Sequence, residues 1–475
     1  MTAPADAPAY ASARGRWVLL ATVLGSAIAF IDATVVTIAL PHIAEDLDAT
    51  TGQLQWTVNG YALTLAAFLL LGGSLGDRFG RRRVFLVGVV WFGLASVLCA
   101  LAPGITALIV ARVLQGVGGA LLTPGSLALI QSTFVGEDRA RAIGAWSGLS
   151  GVAGALAPFL GGWIVELASW RWIFAINVPL VAVVVAVTLR HVPESMDSSA
   201  AKRLDVGGTV LGALGLAGLT YGFTAWTDHG SATPAVVATL AGGVLALIAF
   251  VVVEARHPAP LLPPALFRWR PFAGVNGATL LIYAALSGVF FFVVVTLQVV
   301  SGYSPLASGL APLPVTVLMW LLSPRMGALA VRIGPRLPMS IGPVVCALGA
   351  ALLAGIDASA PYVTAVLPGI LLFGIGLSIT VAPLTTTALA AAPDHLAGVA
   401  SGVNNAVARI AGLLAIAVLP LVAGVGSSLT DAATLAPANR TAMLVCAGLL
   451  AAGALVAFAT IPSSSAAVRP IDTAS

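Results

Sequence analysis

The sequence predicts an all-α integral membrane protein with fourteen transmembrane helices, arranged as two six-helix halves plus an inserted two-helix hairpin. Composition is the first observation. Of the 475 residues, 59% are hydrophobic and 8% are charged, and the mean hydropathy is +1.03, which excludes a sizeable soluble domain. The other two observations are a series of membrane-length apolar runs and an internal repeat.

The apolar runs follow one another from end to end, and each is long enough to cross ~30 Å of hydrocarbon. Because only helices satisfy every backbone group in lipid without closing a barrel, each run predicts a helix. The predicted spans are 17–40, 55–75, 84–103, 106–130, 142–166, 172–190, 206–226, 233–254, 272–300, 306–325, 337–356, 362–390, 396–422 and 441–461.

The internal repeat begins between predicted helices 2 and 3, at Gly73-Ser-Leu-Gly-Asp-Arg-Phe-Gly-Arg-Arg-Arg. A weaker copy starts at Gly327, with Gly80 matching Gly334 and Asp77 replaced by Val331. A second pair, Gly116-Val-Gly118 and Gly374-Ile-Gly376, agrees at nearly the same offset. Two matches at one offset indicate a duplicated half, which in a membrane chain is typical of secondary transporters.

Charge placement supports this topology. Of the 22 basic residues, all fall in inner loops and tails except Arg171 and Arg440, assigned to outer loops, and Arg112 and Arg409, assigned to helices. The positive-inside rule therefore predicts that both termini are cytoplasmic. The net charge of +4 then reflects topology, and no nucleic-acid partner is expected.

The predicted domain organisation follows from the spans. Residues 1–16 and 462–475 are cytoplasmic tails, 17–190 and 272–461 are the two six-helix halves, and 191–271 contain linkers and inserted helices 7 and 8. The first linker is polar and Ser-rich. The second alternates Pro with apolar and basic residues, and it is expected to lie along the inner membrane surface with Trp269 at headgroup level.

Enzymatic chemistry finds no support in the sequence. The one lysine, Lys202, lies outside any phosphate-binding Gly-Lys-[Ser/Thr] loop, so ATP is not expected to drive the protein directly. A Gly-x-Ser-x-Gly match at 72–76 ends an apolar helix and is interpreted as coincidence. The histidines lack metal-ligand spacing, and the three cysteines lie in apolar runs. We expect no enzymatic activity, no cofactor, no metal and no cleaved signal peptide.

The loop motif resembles the segment between helices 2 and 3 of the major facilitator superfamily, Gly-x-Leu-x-Asp-Arg-x-Gly-Arg-Arg; the alternative is an ordinary basic loop. Fourteen helices resemble the drug:proton antiporter branch, over essentially the whole chain after residue ~15. Segments 31–41 of helix 1, 108–118 of helix 4 and 154–162 of helix 5 are similar to motifs of that branch. One departure is Ala157, which replaces a glycine of the exporter signature.

The resemblance implies that Asp32 and Arg112 couple transport to protons. Both lie ~10–12 Å below the outer surface by helical rise, on helices that line the central cavity in this fold. Burial disfavours an ionised carboxylate and a nearby arginine favours it, so relative movement of the two would change proton affinity. Gln115 would hold the substrate or the same carboxylate. The alternative is a static ion pair that joins helices 1 and 4.

Two sets of residues are expected to serve conformational change. In helix 5, Gly154, Pro158, Gly161 and Gly162 form a small-residue ladder that seals or flexes the cavity, or else a simple packing groove. In the loop motif, Asp77 is expected to latch against the basic cluster and a helix end of the other half. The motif positions are Gly73, Asp77, Arg78, Gly80 and Arg81.

Helix 13 supplies the remaining candidates for the substrate cavity, Asn404, Asn405 and Arg409. No acidic residue lies near Arg409 in the sequence of helices 9–14. It therefore either contacts an anionic substrate group or braces the helix through carbonyl and Asn groups.

The sequence thus predicts a proton-coupled exporter of small amphipathic compounds, such as drugs or antibiotics, in the inner cell membrane. It would work by alternating access and as a monomer, with lipid, protons and a small-molecule substrate as its partners. The alternatives are an uptake facilitator of the same fold and a non-transporting receptor. A trap with several acids, suited to dications, is not expected.

Overall fold

The computed structural model describes residues 10–196, 205–257, 260, 262–392, 397–426 and 429–464. Within these ranges, fourteen helical segments are long and apolar enough to cross a membrane. They are α1 Ala13–Leu47, α2 Thr51–Phe79, α3 Arg81–Ala100, α4 Ile105–Thr133, α5 Gly136–Leu167, α6 Trp172–His191, α7 Val206–His229, α8 Pro234–Glu254, α9 Arg270–Val299, α10 Pro305–Ile333, α11 Arg336–Leu353, α12 Tyr362–Ala390, α13 Ala397–Ala423 and α14 Ala432–Thr460.

Two of these spans are interrupted, and a third changes its helix type. α6 consists of Trp172–Ala175 and Asn177–His191, and α10 of Pro305–Leu310 and Leu313–Ile333. α12 begins with a π-helical turn at Tyr362–Val366. The break in α10 falls at Ala311 and Pro312, where the proline removes a backbone donor.

The prediction for Arg440 was wrong, because this residue lies inside α14 rather than in an outer loop. The helix starts at Ala432, where the carboxylate of Asp431 accepts hydrogen bonds from the Ala433 and Thr434 amides, each at 3.2 Å. Bonds from the Thr434 hydroxyl and the Ala433 amide also hold the pKa of Asp431 below its usual range. The helix therefore begins about two turns before the apolar run does.

The described residues divide into two compact units. Unit 1 comprises residues 1–49 and 56–213, and unit 2 comprises residues 50–55 and 214–475. In unit 1, α3 packs on α4 and α6, while α1 packs on α5 and α6. In unit 2, α11 packs on α12 and α14, while α9 packs on α13 and α14. Each of these four pairings in unit 1 therefore recurs in unit 2 between helices eight places later.

Matching glycines serve this repeated packing. A Cβ on Gly118 of α4 would lie 2.7 Å from the backbone nitrogen of Phe92 in α3. A Cβ on Gly376 of α12 would lie 2.5 Å from the backbone nitrogen of Cys346 in α11. Both distances are too short for a real Cβ, so the equivalent helix pairs approach each other only because the residue is glycine.

The hairpin of α7 and α8 belongs to unit 2 from residue 214 onward, and it contacts the start of α2, which lies in the same unit. Asp228 accepts a 2.8 Å hydrogen bond from the amide of Gly52, and a Cβ on Gly52 would lie 2.0 Å from the carboxylate. The carboxylate thus satisfies a free amide at the first turn of α2. The inserted hairpin is therefore not a free appendage.

Candidate functional site

The candidate site lies inside unit 1, where side chains from four apolar helices meet. Asp32 comes from α1, Ser96 from α3, Arg112 and Gln115 from α4, and Asn177 from the start of the longer segment of α6. All five are buried, with at most 1% of each residue exposed. Polar groups buried in this way need partners, because an unpaired group loses its hydrogen bonds to water.

Asp32 and Arg112 form an ion pair, as the sequence predicts. Arg112 Nη1 donates to Asp32 Oδ2, and both side chains are 0% exposed. The same nitrogen donates to Gln115 Oε1 at 2.6 Å, and Arg112 Nε donates to the Thr57 carbonyl at 3.0 Å. The pair is therefore joined through one guanidinium nitrogen rather than through a two-pronged contact.

The second oxygen of Asp32 is held by two amides. Gln115 Nε2 donates to Oδ1 at 2.8 Å, and Asn177 Nδ2 donates to it at 3.1 Å. Gln115 therefore contacts the carboxylate, which was one of the two roles expected for it. The carboxylate of Asp32 therefore accepts hydrogen bonds from three side-chain donors.

Ser96 completes the network. Its hydroxyl accepts from Gln115 at 2.9 Å and from Asn177 at 3.3 Å, and it donates to the Phe92 carbonyl at 2.8 Å. Sequence reasoning missed Ser96 and did not assign Asn177 to the site. The signal available for Asn177 was an amide directly after the Trp170-Arg-Trp-Ile-Phe174 segment, at the start of an apolar span.

Aromatic rings surround the guanidinium. The Cζ of Arg112 lies 4.4 Å from the ring centre of Tyr61 and 5.7 Å from that of Phe174. Both arrangements are cation–π contacts, which help to offset the removal of the guanidinium from water. A Cβ on Gly116 would lie 2.3 Å from the Tyr61 carbonyl, so the glycine allows α4 to approach α2 at this level.

The network has unused hydrogen-bonding capacity. Arg112 Nη2 and Asn177 Oδ1 are both buried, and neither has a hydrogen-bond partner within the described part of the chain. The site therefore holds a spare donor and a spare acceptor next to a carboxylate whose two oxygens are already engaged.

The predicted loop motif joins α2 to α3. Arg81 Nε donates to Asp77 Oδ1 at 2.7 Å, so the acidic residue contacts the basic cluster as expected. Arg78 lies over the ring of Phe79 at 5.1 Å. A Cβ on Gly73 would lie 3.7 Å from Pro124 of α4, which is ordinary contact.

Glu194, which the sequence analysis assigned only to a polar linker, caps α3. Its carboxylate accepts from the Arg82 amide at 3.0 Å and from the Arg83 amide at 3.2 Å. Gly80, just before the helix, has φ +108°, and its Cβ would lie 2.8 Å from the Glu194 carboxyl carbon. Glycine is needed here for both backbone and contact reasons.

The second copy of the loop motif has the same arrangement. Gly334, the counterpart of Gly80, has φ +85°, and its Cβ would lie 1.7 Å from the carbonyl oxygen of Ser463. Ser463 follows α14 as Glu194 follows α6. In each six-helix half, a positive-φ glycine between the second and third helices is therefore contacted by the segment that follows the last helix.

The helix 5 ladder is only partly in contact. A Cβ on Gly161 would lie 2.7 Å from Val35 Cγ1 of α1, and Gly162 is also buried. A Cβ on Gly154 would meet nothing within 4 Å. Pro158 lies inside α5 between these two positions. Close packing therefore involves the later half of the ladder.

The three candidates of α13 belong to unit 2, whereas Asp32, Arg112 and Gln115 belong to unit 1. Asn404 Nδ2 donates to Asn276 Oδ1 at 3.1 Å and to Thr279 Oγ1 at 2.9 Å, which joins α13 to α9. Asn405 is exposed and donates to its own helix at Ser401. Arg409 is half-buried and interacts electrostatically with the Tyr283 phenol.

Metal-binding and disulfide chemistry have no candidate residues in the described part of the chain. Among the described residues, no group of three or more His, Cys, Asp and Glu side chains could hold a metal ion. Cys99, Cys346 and Cys446 are free and buried.

Comparison with known proteins identifies the family. The family profile described as Major Facilitator Superfamily matches residues 22–416. The chain belongs to the major facilitator superfamily. The family predicted from the loop motif is therefore confirmed, and this facilitator is a multi-pass protein of the cell membrane.

Curated relatives of this facilitator are resistance and export proteins. It is 37% identical to the puromycin resistance protein pur8 of Streptomyces alboniger, over 85% of this chain and 80% of the relative. It is also 37% identical to the tetracenomycin C resistance and export protein of Streptomyces glaucescens, over 86% and 76%. It is 35% identical to the multidrug resistance protein Stp of Mycobacterium tuberculosis (strain CDC 1551 / Oshkosh), over 84% of this chain and 74% of the relative.

Solved structures agree on the fold. An inward-facing bacterial homolog of the lysosomal transporter Spinster matches with TM-score 0.65 and 17% identity, covering 98% of this chain and 100% of that one. A D-xylose–proton symporter matches with TM-score 0.66 and 15% identity, covering 94% and 98%. The major facilitator fold expected from the sequence is confirmed.

Proposed function

We propose that this facilitator is a proton-coupled exporter of small amphipathic compounds, in which Asp32 takes up and releases the proton. The observation that carries the proposal is the fully buried Asp32–Arg112 ion pair. Three relatives that cover most of the chain bear the names of resistance or export proteins, which supports the direction of transport and the class of substrate.

The cost of the ion pair favours a functional role. Removing two ions from water costs several kcal/mol for each, and a packed apolar pair of similar volume is often at least as stable. A charged pair between apolar helices therefore adds little stability to the contact of α1 with α4. It is well suited to changing the proton affinity of Asp32, because this carboxylate depends on Arg112, Gln115 and Asn177 for its hydrogen bonds.

The proposed cycle has two states of the carboxylate. With Arg112 and both amides in place, Asp32 is held ionised. Displacement of α4 relative to α1 withdraws Arg112, and the buried carboxylate then binds a proton. Rotation of the Asn177 amide, which now donates to Asp32, would present its spare acceptor Oδ1 to the new O–H group, and the spare donor, Arg112 Nη2, allows the guanidinium to find another partner. Alternating access links these states to export.

Further roles belong to the same proposal. We assign the two functional halves to residues 17–190 and 272–461, with 191–271 as linkers and inserted hairpin. The motif around Gly80 and the ladder around Gly161 serve the conformational change. Asn404, Asn405 and Arg409 contribute to substrate binding, with Asn404 also holding α13 on α9. The protein acts without a cofactor, as a monomer and not as an enzyme.

The expected substrates are neutral or weakly charged amphipathic compounds. In unit 1, the one acid of the network, Asp32, has both oxygens occupied by protein donors, which leaves little for a cationic substrate. Uptake of a metabolite is the second candidate. It is favoured only by the fold shared with a D-xylose–proton symporter, a likeness that carries no information on substrate.

Drug susceptibility tests the proposal. The chain and its Asp32→Asn variant are expressed at matched levels in an efflux-deficient bacterial host, and growth is measured against neutral, cationic and anionic amphipathic compounds. We expect the chain to raise resistance to several neutral or weakly charged compounds and the variant to raise none. Unchanged susceptibility to the whole panel, or greater accumulation of a compound inside the cells, would contradict export.

A further inference from the structure

A basic cavity of about 400 Å³ lies in unit 1, where the N-termini of α1 and α3 meet the C-terminus of α6. Its charged lining consists of Arg14, Arg82 and Arg190, one from each helix. The positive-inside rule places this end of the helices at the cytoplasmic surface. We propose that the cavity binds a phosphate group, carried either by an anionic phospholipid or by a soluble phosphate.

Two of the arginines are oriented by the end of α6. Arg14 Nε donates to the His191 carbonyl at 3.5 Å, and Arg82 Nη1 donates to the Val192 carbonyl at 3.2 Å. These bonds are favourable because carbonyls at a helix C-terminus carry partial negative charge. Each guanidinium has five N–H donors, so further donors remain for phosphate oxygens.

Among the described residues, nearby acids balance the charges of the three arginines only in part. Within the described residues, Arg82 is the one arginine of the three that forms an ion pair, at 4.0 Å from Glu194. The Glu194 carboxylate also accepts from the amides of Arg82 and Arg83, so its charge is shared with the start of α3. Three guanidinium groups around one cavity repel one another, and a bound anion of matching geometry would relieve that repulsion.

The apolar rim of the cavity favours a lipid as the source of the phosphate. Trp17 and Leu189, which line it, are 41% and 59% exposed. The Trp17 ring stacks on the His191 ring, with centroids 5.0 Å apart and planes at 21°. Tryptophan is enriched at headgroup level in membranes, and an acyl chain can lie along the adjoining apolar surface. A phospholipid would thus place its phosphate among the arginines and its chains beside Trp17 and Leu189.

Ligand-induced thermal stabilisation tests the proposal with matched variants. The purified full chain is compared with Arg14→Gln/Arg190→Gln and with the control Arg16→Gln/Arg256→Gln. Both double variants remove two exposed arginines, but Arg16 and Arg256 do not line the cavity. Each protein is titrated with a short-chain phosphatidylglycerol, with a short-chain phosphatidylcholine and with inorganic phosphate, and the melting temperature is recorded. Arg14→Lys/Arg190→Lys, which keeps the charge, serves as a rescue variant.

We expect phosphatidylglycerol to raise the melting temperature of the chain and the control far more than phosphatidylcholine does. In Arg14→Gln/Arg190→Gln the half-saturating concentration should rise by about tenfold or more, with partial rescue by lysine. If inorganic phosphate alone gives the full, arginine-dependent effect, the phosphate site stands and its ligand is soluble. If neither ligand stabilises the chain, or if the cavity variant responds as the control does, the proposal is overturned.

Discussion

Asp32 and Arg112 form an ion pair from which solvent is wholly excluded, with 0% of each side chain exposed. The contact runs through one guanidinium nitrogen, and Gln115 bonds both partners. The pair is therefore the centre of a network rather than an isolated bridge. Because every member is buried, removal of a donor to Asp32 leaves its carboxylate with fewer hydrogen bonds and no water to replace them.

Arg112→Lys should reduce the export rate by about tenfold or more and should move its pH dependence. Lysine has one nitrogen in place of the two that contact Asp32, Gln115 and the Thr57 carbonyl, and a buried ammonium can lose its proton. The measurement is export rate against pH in proteoliposomes. Arg171→Lys is the control, because Arg171 pairs with Asp46 at 2.5 Å where both are partly exposed. An unchanged rate and profile would make Arg112 a structural brace.

Gln115→Leu should reduce the export rate by about tenfold. The substitution removes a 2.8 Å hydrogen bond to Asp32 and the 2.6 Å bond from Arg112, which leaves buried polar groups with fewer partners. Ser96→Ala is the control, since it removes an acceptor of Gln115 without removing a donor to Asp32. Equal export rates in the two variants, measured in proteoliposomes, would contradict the role assigned to Gln115.

Gly80→Ala and Gly334→Ala should both lower the melting temperature, and Gly334→Ala should lower it more. Positive φ costs a non-glycine residue about 1–2 kcal/mol, and the added Cβ meets a backbone oxygen at Gly334 but the end of a side chain at Gly80. Gly136→Ala separates the two effects, because Gly136 has φ +54° and open space around it. Equal losses in all three variants would mean that the contacts contribute nothing.

Gly161→Ala should destabilise the protein by about 1–3 kcal/mol through overpacking against Val35. Gly154→Ala, on the same helix, should be close to neutral because its Cβ would meet nothing within 4 Å. Thermal unfolding of the two purified variants checks this. Equal melting temperatures would show that the α1–α5 contact at Gly161 adjusts freely.

The sequence predicted the number of spans, the repeat and the pairing of Asp32 with Arg112, because each leaves a local mark. Hydropathy marks a span, and a charge within an apolar run demands a partner. The sequence did not predict that Ser96 belongs to the network or that Glu194 caps α3. A serine in an apolar helix and an acid in a linker are common, and only packing between distant segments gives them partners.

The start of α14 was also not predicted, because it depends on a capping contact rather than on hydropathy. Arg440 was assigned to a loop because the apolar run starts after it, whereas the Asp431 cap starts α14 earlier. The hydrogen bond from Arg112 to the backbone carbonyl of Thr57 could not be predicted from the sequence, because every residue type has a backbone carbonyl. The predicted domain boundaries and site roles remain predictions. Of the segments that these predictions cover, residues 1–9, 197–204, 258–259, 261, 393–396, 427–428 and 465–475 lie outside the described residues.

Proton coupling at Asp32 is tested by export driven by an imposed pH gradient, measured for Asp32→Asn in proteoliposomes. Asp48→Asn, which changes an acid just beyond the end of the same helix, is the matched control. We expect Asp32→Asn to insert normally, because the amide mimics the protonated carboxyl, but to give no gradient-driven export, while Asp48→Asn exports as the unaltered chain does. Normal gradient-driven export by Asp32→Asn would contradict proton coupling at this residue.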